Sequence, residues 1–197
     1  MKHLFTVFAA SLFLVACNAP EKTEEVTTDA TEETATETTK TKEEAPRKSP
    51  NQQATGTIDG VNITIDYCSP YVKSRTIWGD LVPFNKIWRA GANETTAITI
   101  DKTALINGDT IQPGTYGFFM IPEEDKPWTI VLNEEWNKKT HGIWGTYNYK
   151  EDKDVTRSEV TPEWTNDVVE SLDYSVNENG FTLVWEKAKV NIPVTAL

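Results

Sequence analysis

The chain has 197 residues and a formal net charge of −11, and most of that negative charge falls after residue 50. Nucleic-acid phosphates require clustered lysine and arginine, so we expect no nucleic-acid partner. An acidic surface also excludes direct docking on anionic lipid head groups.

A short cationic start and an apolar run make up residues 1–16, MKHLFTVFAASLFLVA. A permanent membrane helix needs about 20 apolar residues, so this run predicts an export signal instead. It ends in Leu14-Val15-Ala16-Cys17, which resembles a bacterial lipobox. That resemblance implies cleavage before Cys17 and attachment of fatty acyl groups such as palmitate to it. An ordinary signal peptide with a chance cysteine is the alternative.

The expected product is a lipoprotein of the bacterial cell envelope. It would be held in a membrane through Cys17, most simply the outer membrane, and would face the periplasm or the cell surface. Two or more acyl chains are sufficient for stable anchoring, because each buried CH₂ contributes about 0.8 kcal/mol.

Residues 17–50 differ in composition from the apolar start of the chain. They are rich in threonine and glutamate and contain no aromatic residue. Such a segment buries too little apolar surface to offset its ordering entropy, so we expect a disordered tether. Its acidic residues after the lipidated cysteine also resemble the surface-export signals of some lipoproteins, and the two interpretations are compatible.

Residues 51–197 have the size of one domain and carry strand patterns throughout. VNITIDY at residues 61–67 alternates apolar and polar side chains, and Asp59-Gly60, Asn107-Gly108 and Pro113-Gly114 are turn signals. About ten short antiparallel strands predict an all-β sandwich or jelly roll, with a closed barrel as the alternative. Cys68 ends one strand and is the only cysteine left after Cys17, so we expect a small core residue there rather than a reactive thiol.

One long connection interrupts these strands: KSRTIWGDLVPFNKIWRAGANE, residues 73–94. Long ordered connections are usually functional or are held by their own side chains, and a short helix at residues 79–89 is the other possibility. It contains the candidate ligand-binding residues, which are Arg75, Trp78, Trp88, Arg89, Asn93 and Glu94.

Each candidate has a binding and a structural interpretation. Trp78 and Trp88 would stack on a flat ligand or clamp the loop on the sandwich. An arginine without an internal partner would bind an anionic or carbonyl group of a ligand. An internal Arg89–Glu94 or Arg75–Glu94 ion pair would instead hold the loop in place without a ligand. Asn93 would contact a polar ligand or bridge backbone groups in a turn.

The segment SPYVKSRTIWGDLVPFNKIWRAGANETTAITI, followed by PGTYGFFMIP and WTIVLN, resembles a bacterial family of exported proteins and lipoproteins known as domain of unknown function 2911. The shared core is Trp-Arg-x-Gly-Ala-Asn-Glu-x-Thr, at residues 88–96. The resemblance extends from residue 49 onward and implies export and one domain. It implies no activity, because the family has no agreed one.

Several chemistries are not expected. His3 leaves with the signal, so His141 is the only histidine of the mature chain, which excludes a multi-histidine zinc site. No nucleophile elbow or glycine-rich phosphate loop is present, so we predict no catalytic residue, no cofactor and no metal site. The acidic run around Glu151, Asp152 and Asp154 is interpreted as a solvated loop rather than a calcium site.

The sequence favours a non-enzymatic, membrane-tethered module that binds a small polar ligand, a glycan or a protein partner. Two alternatives stay open. One is an envelope glycan hydrolase using Glu94 with Glu134 or Glu135. The other is a purely structural lipoprotein whose loop only stabilises the fold.

Overall fold

The structure is a computed structural model that describes residues 46–197. The predicted signal peptide, Cys17 and most of the predicted tether lie outside these residues. Within the described part of the chain, no helix has the length and apolarity needed to cross a bilayer.

The described residues form ten strands in two antiparallel sheets, which confirms the predicted all-β sandwich. The strands are β1 (Asn51–Ile58), β2 (Val61–Cys68), β3 (Thr96–Ile100), β4 (Ala104–Ile106), β5 (Asp109–Ile111), β6 (Gly114–Ile121), β7 (Trp128–Asn133), β8 (Asp154–Val160), β9 (Glu163–Asn177) and β10 (Gly180–Ala196). Helix α1 (Lys138–His141) and a 3₁₀ turn at Glu151–Lys153 are the only helical segments between residues 46 and 197.

The larger sheet has the order β1-β2-β3-β6-β7-β8, and the smaller sheet has the order β5-β4-β10-β9. The predicted hairpin turns join β1 to β2 and β4 to β5, and Asp59, Gly60, Asn107 and Gly108 all have positive φ there. Such turns match the right-handed twist of the strands they join. The Pro113-Gly114 signal differs, because it marks the point where the chain passes from β5 in one sheet to β6 in the other.

Strands β9 and β10 are longer than the short strands that the sequence predicts. β10 runs through 17 residues and pairs with β9 across irregularities on either side of Glu186, which has a φ of 55°. A bulge adds an unpaired residue and bends the strand, so the alternation of side chains breaks while the strand continues. The break in the pattern therefore predicts two strands where the structure has one.

The apolar faces of the two sheets form one core between them. Along β2, Val61, Ile63 and Ile65 point inward while Asn62 and Asp66 stay exposed. Burying one such isoleucine contributes about 1.5–3 kcal/mol. The opposite face of β2 is thereby left outside, where it lines a groove considered below.

Residues 69–95 connect β2 to β3 as a loop with no helix. Trp88 exchanges two backbone hydrogen bonds with Met120 of β6, with N–O distances of 2.7 and 2.8 Å. Tyr174 Oη of β9 donates to the carbonyl oxygen of Ala90 at 2.7 Å. The loop is thus fixed to both sheets.

A second segment, residues 134–150, covers part of the outer face of the larger sheet. Ile143 from this segment packs on Phe119 and Val131 in a small separate core. His141 Nδ1 accepts hydrogen bonds from the backbone N–H groups of Trp136 and Asn137, at 3.0 and 3.2 Å. His141 therefore has a structural contact that fixes the chain at Trp136.

Candidate functional site

The two loop tryptophans belong to a cluster of indole rings at one end of the core. The Trp78 ring centroid lies 5.6 Å from that of Trp88, 4.6 Å from that of Trp128 and 5.8 Å from that of Trp185. Trp88 is 8% exposed, and its indole N–H donates to the carbonyl oxygen of Gly91 at 3.1 Å. Trp88 therefore anchors the loop in the core, and only its rim is available to a ligand.

Arg75 is exposed and is held by backbone acceptors instead of a carboxylate. Its Nε donates to the carbonyl oxygen of Val72 at 3.0 Å, and Nη2 donates to that of Tyr71. These bonds fix the plane of the guanidinium group. Nη1 has no hydrogen-bond partner within residues 46–197.

The Arg89 side chain has no hydrogen bond and no ion pair within the described residues, and its Nε atom is buried. Burial lowers the pKa of its guanidinium, and the nearby Cys68 and Glu94 only partly oppose this effect. An arginine out of water is normally paired, because desolvation of an unpaired charge is costly. The internal Arg89–Glu94 and Arg75–Glu94 pairs of the structural interpretation do not form, and neither Arg75 nor Arg89 has an anionic partner within residues 46–197.

Arg75, Trp88 and Arg89 line one cavity of about 190 Å³, which we call the arginine cavity. Its remaining walls are Ser49, Pro70, Leu81, Val82, Gly91, Ala92 and Trp185. Two cationic residues and no acidic residue line this cavity, although the chain as a whole is strongly acidic. The cavity is therefore suited to a negatively charged or carbonyl-bearing group.

Two of the three residues with a buried, unpartnered polar atom line the same cavity. Within residues 46–197 these atoms are Trp78 Nε1, Arg89 Nε and Trp185 Nε1, and all three are hydrogen-bond donors. Arg89 and Trp185 line the arginine cavity, and Trp78 packs on Trp185. Folded proteins leave few such atoms, and two of the three belong to residues in the wall of the arginine cavity.

Glu94 is paired with an arginine that the sequence interpretation placed in the tether. Arg47 donates to both carboxylate oxygens of Glu94, at 2.9 and 2.6 Å. The Arg47 hydrogen bonds lower the pKa of Glu94 to about 2. Arg47 also donates to Asn51 Oδ1 at 2.7 Å, so it joins the start of β1 to the end of the loop. Both carboxylate oxygens of Glu94 thus already accept hydrogen bonds from Arg47.

Cys68 and Asn93 complete the end of the loop. Cys68 is buried, and its Sγ donates to Glu94 Oε2 at 3.1 Å. Burial, followed by this bond, raises the pKa of the thiol, as expected for a core cysteine. Asn93 has a positive φ of 53° and donates from Nδ2 to the carbonyl oxygen of Ser49 at 3.3 Å. Asn93 is therefore a turn residue that holds the segment preceding β1.

The acidic residues of the hydrolase alternative are spread over separate ion pairs. Glu134 pairs with Lys153 at 3.3 Å and Glu135 with Lys150 at 2.6 Å. Neither lines a cavity with Glu94. Residues 46–197 contain no group of three or more His, Cys, Asp or Glu side chains placed to hold a metal ion.

Sequence reasoning missed two residues of this region. Arg47 lies in a Thr/Glu-rich stretch whose composition predicts disorder, and nothing in the sequence pairs it with Glu94. Trp185 belongs to an ordinary strand pattern on β10, far along the chain from the loop.

A family model described as Protein of unknown function (DUF2911) matches residues 49–194. No curated protein and no solved structure matches the chain significantly. Because the match includes both sheets and the whole connecting loop, the chain belongs to the family described as Protein of unknown function (DUF2911).

Proposed function

We propose that this protein is a non-enzymatic binding module that binds a small anion, a carboxylate or a phosphate, in the arginine cavity. The observation that carries the proposal is the Arg89 side chain, whose buried Nε has no acceptor within residues 46–197. A bound anion would neutralise the positive charge of the guanidinium group in the cavity wall. This arrangement is typical of a ligand site, because burying part of the Arg89 side chain without an anion costs free energy that the rest of the fold must offset.

The chemistry of the cavity wall favours an oxyanion over a cation. A guanidinium group presents a planar set of N–H donors that matches carboxylate and phosphate oxygens. The Arg75 guanidinium is oriented by the carbonyl oxygens of Tyr71 and Val72, so it is ready to bind. An oriented donor loses little side-chain entropy when the ligand arrives.

The size of the cavity restricts the ligand. Pockets for drug-sized molecules measure about 300–1,000 Å³, whereas the arginine cavity measures about 190 Å³. We therefore expect inorganic phosphate, a short carboxylic acid, or the anionic end of a larger molecule. The predicted lipid anchor at Cys17 would keep this module at a bacterial membrane within the cell envelope.

The glycan hydrolase is the weaker alternative. A general acid needs a raised pKa, but Arg47 lowers the pKa of Glu94 to about 2. The alternative of a purely structural lipoprotein accounts for the packing of Trp78 and Trp88 in the core. It does not account for the Arg89 side chain, which has no partner within residues 46–197.

A thermal-shift titration tests the proposal on the chain carrying Cys17→Ser, which removes the acylation site. Phosphate, acetate and succinate are added at constant ionic strength, with chloride as the reference salt. At 100 times its dissociation constant a ligand stabilises the folded state by about 2.7 kcal/mol. Each kcal/mol raises the melting temperature by about 2–4 °C in a domain of this size.

Matched variants locate the effect. We expect Arg89→Met to abolish the anion-induced shift and Arg75→Met to reduce it. Lys86→Met removes one positive charge from the same loop but not from the cavity wall, so it should leave the shift intact. Equal shifts in the parent chain and in Arg89→Met would refute the proposal.

A further inference from the structure

The outer face of the larger sheet carries a groove that is separate from the arginine cavity. It consists of two recesses of about 310 and 320 Å³, which share Glu94, Thr95 and Trp136 in their walls. Asp66 and Cys68 line the first recess, and Trp144 lines the second. We call the two recesses together the indole groove.

The floor of the groove follows from strand register. Asp66 of β2 lies opposite Ala97 of β3, which lies opposite Gly117 of β6, so these three residues face outward in one row. A Cβ atom on Gly117 would lie 2.7 Å from Trp136 Cβ. The absence of a side chain at Gly117 therefore lets Trp136 lie directly on the sheet, where His141 Nδ1 fixes its backbone.

The indoles of the groove differ from those of the core. Trp144 is 45% exposed and Trp136 is half-buried, whereas Trp128 and Trp185 are sealed in the core. Neither Trp136 Nε1 nor Trp144 Nε1 has a hydrogen-bond partner among the described residues. The groove wall thus contains two indole rings, each with an N–H donor that no described residue uses.

Polar groups with unused hydrogen-bonding capacity lie beside these rings. Asp66 Oδ1 accepts from Gln53, but Oδ2 has no partner within residues 46–197, and the same holds for Asn51 Nδ2. The carboxylate of Glu94 is neutralised by Arg47, and the exposed Lys138 lies in the wall of the second recess. Flat apolar faces next to isolated donors and acceptors match a sugar ring, which has C–H faces and a rim of hydroxyl groups.

We propose that the indole groove binds a short uncharged oligosaccharide, with one sugar ring against Trp136 and another against Trp144. Asn51 Nδ2 donates to a hydroxyl oxygen, and Asp66 Oδ2 accepts from a hydroxyl group. The acidic surface of the chain disfavours acidic glycans. This site uses neither Arg75 nor Arg89, so it does not depend on anion binding in the arginine cavity.

Calorimetric titration of the full chain carrying Cys17→Ser with cellotriose and chitotriose tests this site. We expect saturable binding of at least one of the two at millimolar concentration. Trp136→Ala and Trp144→Ala should each weaken it at least about tenfold. Tyr147→Ala is the control, because Tyr147 is the most exposed aromatic residue of the same segment, at 71%, and lines neither recess. It should change affinity less than about twofold.

A melting curve of each variant shows whether it is still folded, which separates loss of binding from loss of fold. Because Trp144 is exposed, Trp144→Ala is the tryptophan variant expected to destabilise the fold least. Binding that survives in Trp144→Ala and in a folded Trp136→Ala overturns the proposal, and so does the absence of binding for both trisaccharides. If Arg89→Met loses trisaccharide binding and the tryptophan variants keep it, the sugar binds in the arginine cavity. That result would also overturn the proposal. A chain that binds trisaccharide but gives no shift with phosphate or carboxylates leaves the groove intact and refutes only the anion site.

Discussion

The Arg89 side chain packs against the bare α-carbon of Gly145. A Cβ atom at residue 145 would lie 2.9 Å from Arg89 Cδ and 3.0 Å from the carbonyl oxygen of Asn93. The segment that covers the outer sheet therefore also sets the position of the Arg89 guanidinium group.

Gly145→Ala should weaken anion binding about tenfold because the added methyl group displaces Arg89. It should also cost about 1–2 kcal/mol of stability, since φ at this residue is +62°. Gly142→Ala is the matched control. Its φ is +74°, but a Cβ atom there meets nothing within 4 Å. Titration of both variants with phosphate separates the two effects, and equal losses of affinity would contradict the Arg89 contact.

Arg89→Met should stabilise the ligand-free chain by about 1 kcal/mol, because it removes a partly buried charge that has no anionic partner and keeps the aliphatic contact with Gly145. Urea unfolding in chloride measures this change. A ligand site is often kept at a cost to stability. A loss of several kcal/mol in the same experiment would instead show that Arg89 is a structural residue.

Arg47→Ala should destabilise the chain by about 0.5–1 kcal/mol at pH 7, since the pair with Glu94 is half exposed and screened by solvent. The pKa of Glu94 is depressed to about 2, so the contribution is complete above its ordinary pKa and disappears as pH falls through 2. Unfolding curves between pH 2 and pH 7 test the sign. Lys48→Ala, which removes a neighbouring charge, should show no such pH-dependent difference.

Trp88→Ala should cost about 3–5 kcal/mol, because it empties a buried site in the indole cluster and removes the hydrogen bond to Gly91. Trp144→Ala removes the same side chain from an exposed position and should change stability by about 0.5 kcal/mol or less. Denaturant melts of the two variants compare them directly. Similar losses would place Trp88 outside the core.

The sandwich was predictable because its strands carry local signals. Alternation along β2 and the Asp59-Gly60 and Asn107-Gly108 turns depend only on neighbouring residues. The bulge in β10 was not predictable, because it depends on pairing with β9, and the sheet change at Pro113 depends on the whole topology.

The candidate site was predictable in its residue types but not in its contacts. The loop sequence shows that Arg75, Trp88 and Arg89 are close along the chain, and the structure brings all three to one cavity. Which acid meets which arginine depends on residues distant in sequence. Glu94 forms an ion pair with Arg47, so Arg89 has no carboxylate partner within residues 46–197.

The most direct test of anion binding is the Nε–H resonance of Arg89 in a ¹H–¹⁵N spectrum, since the chain has only four arginines, Arg47, Arg75, Arg89 and Arg157. We expect saturable movement of the Arg89 signal as phosphate or succinate is added at constant ionic strength. The Arg157 signal should stay in place because its Nε is bonded to Asp154. An Arg89 signal that does not move, or four signals that move together, would contradict a bound anion in the arginine cavity.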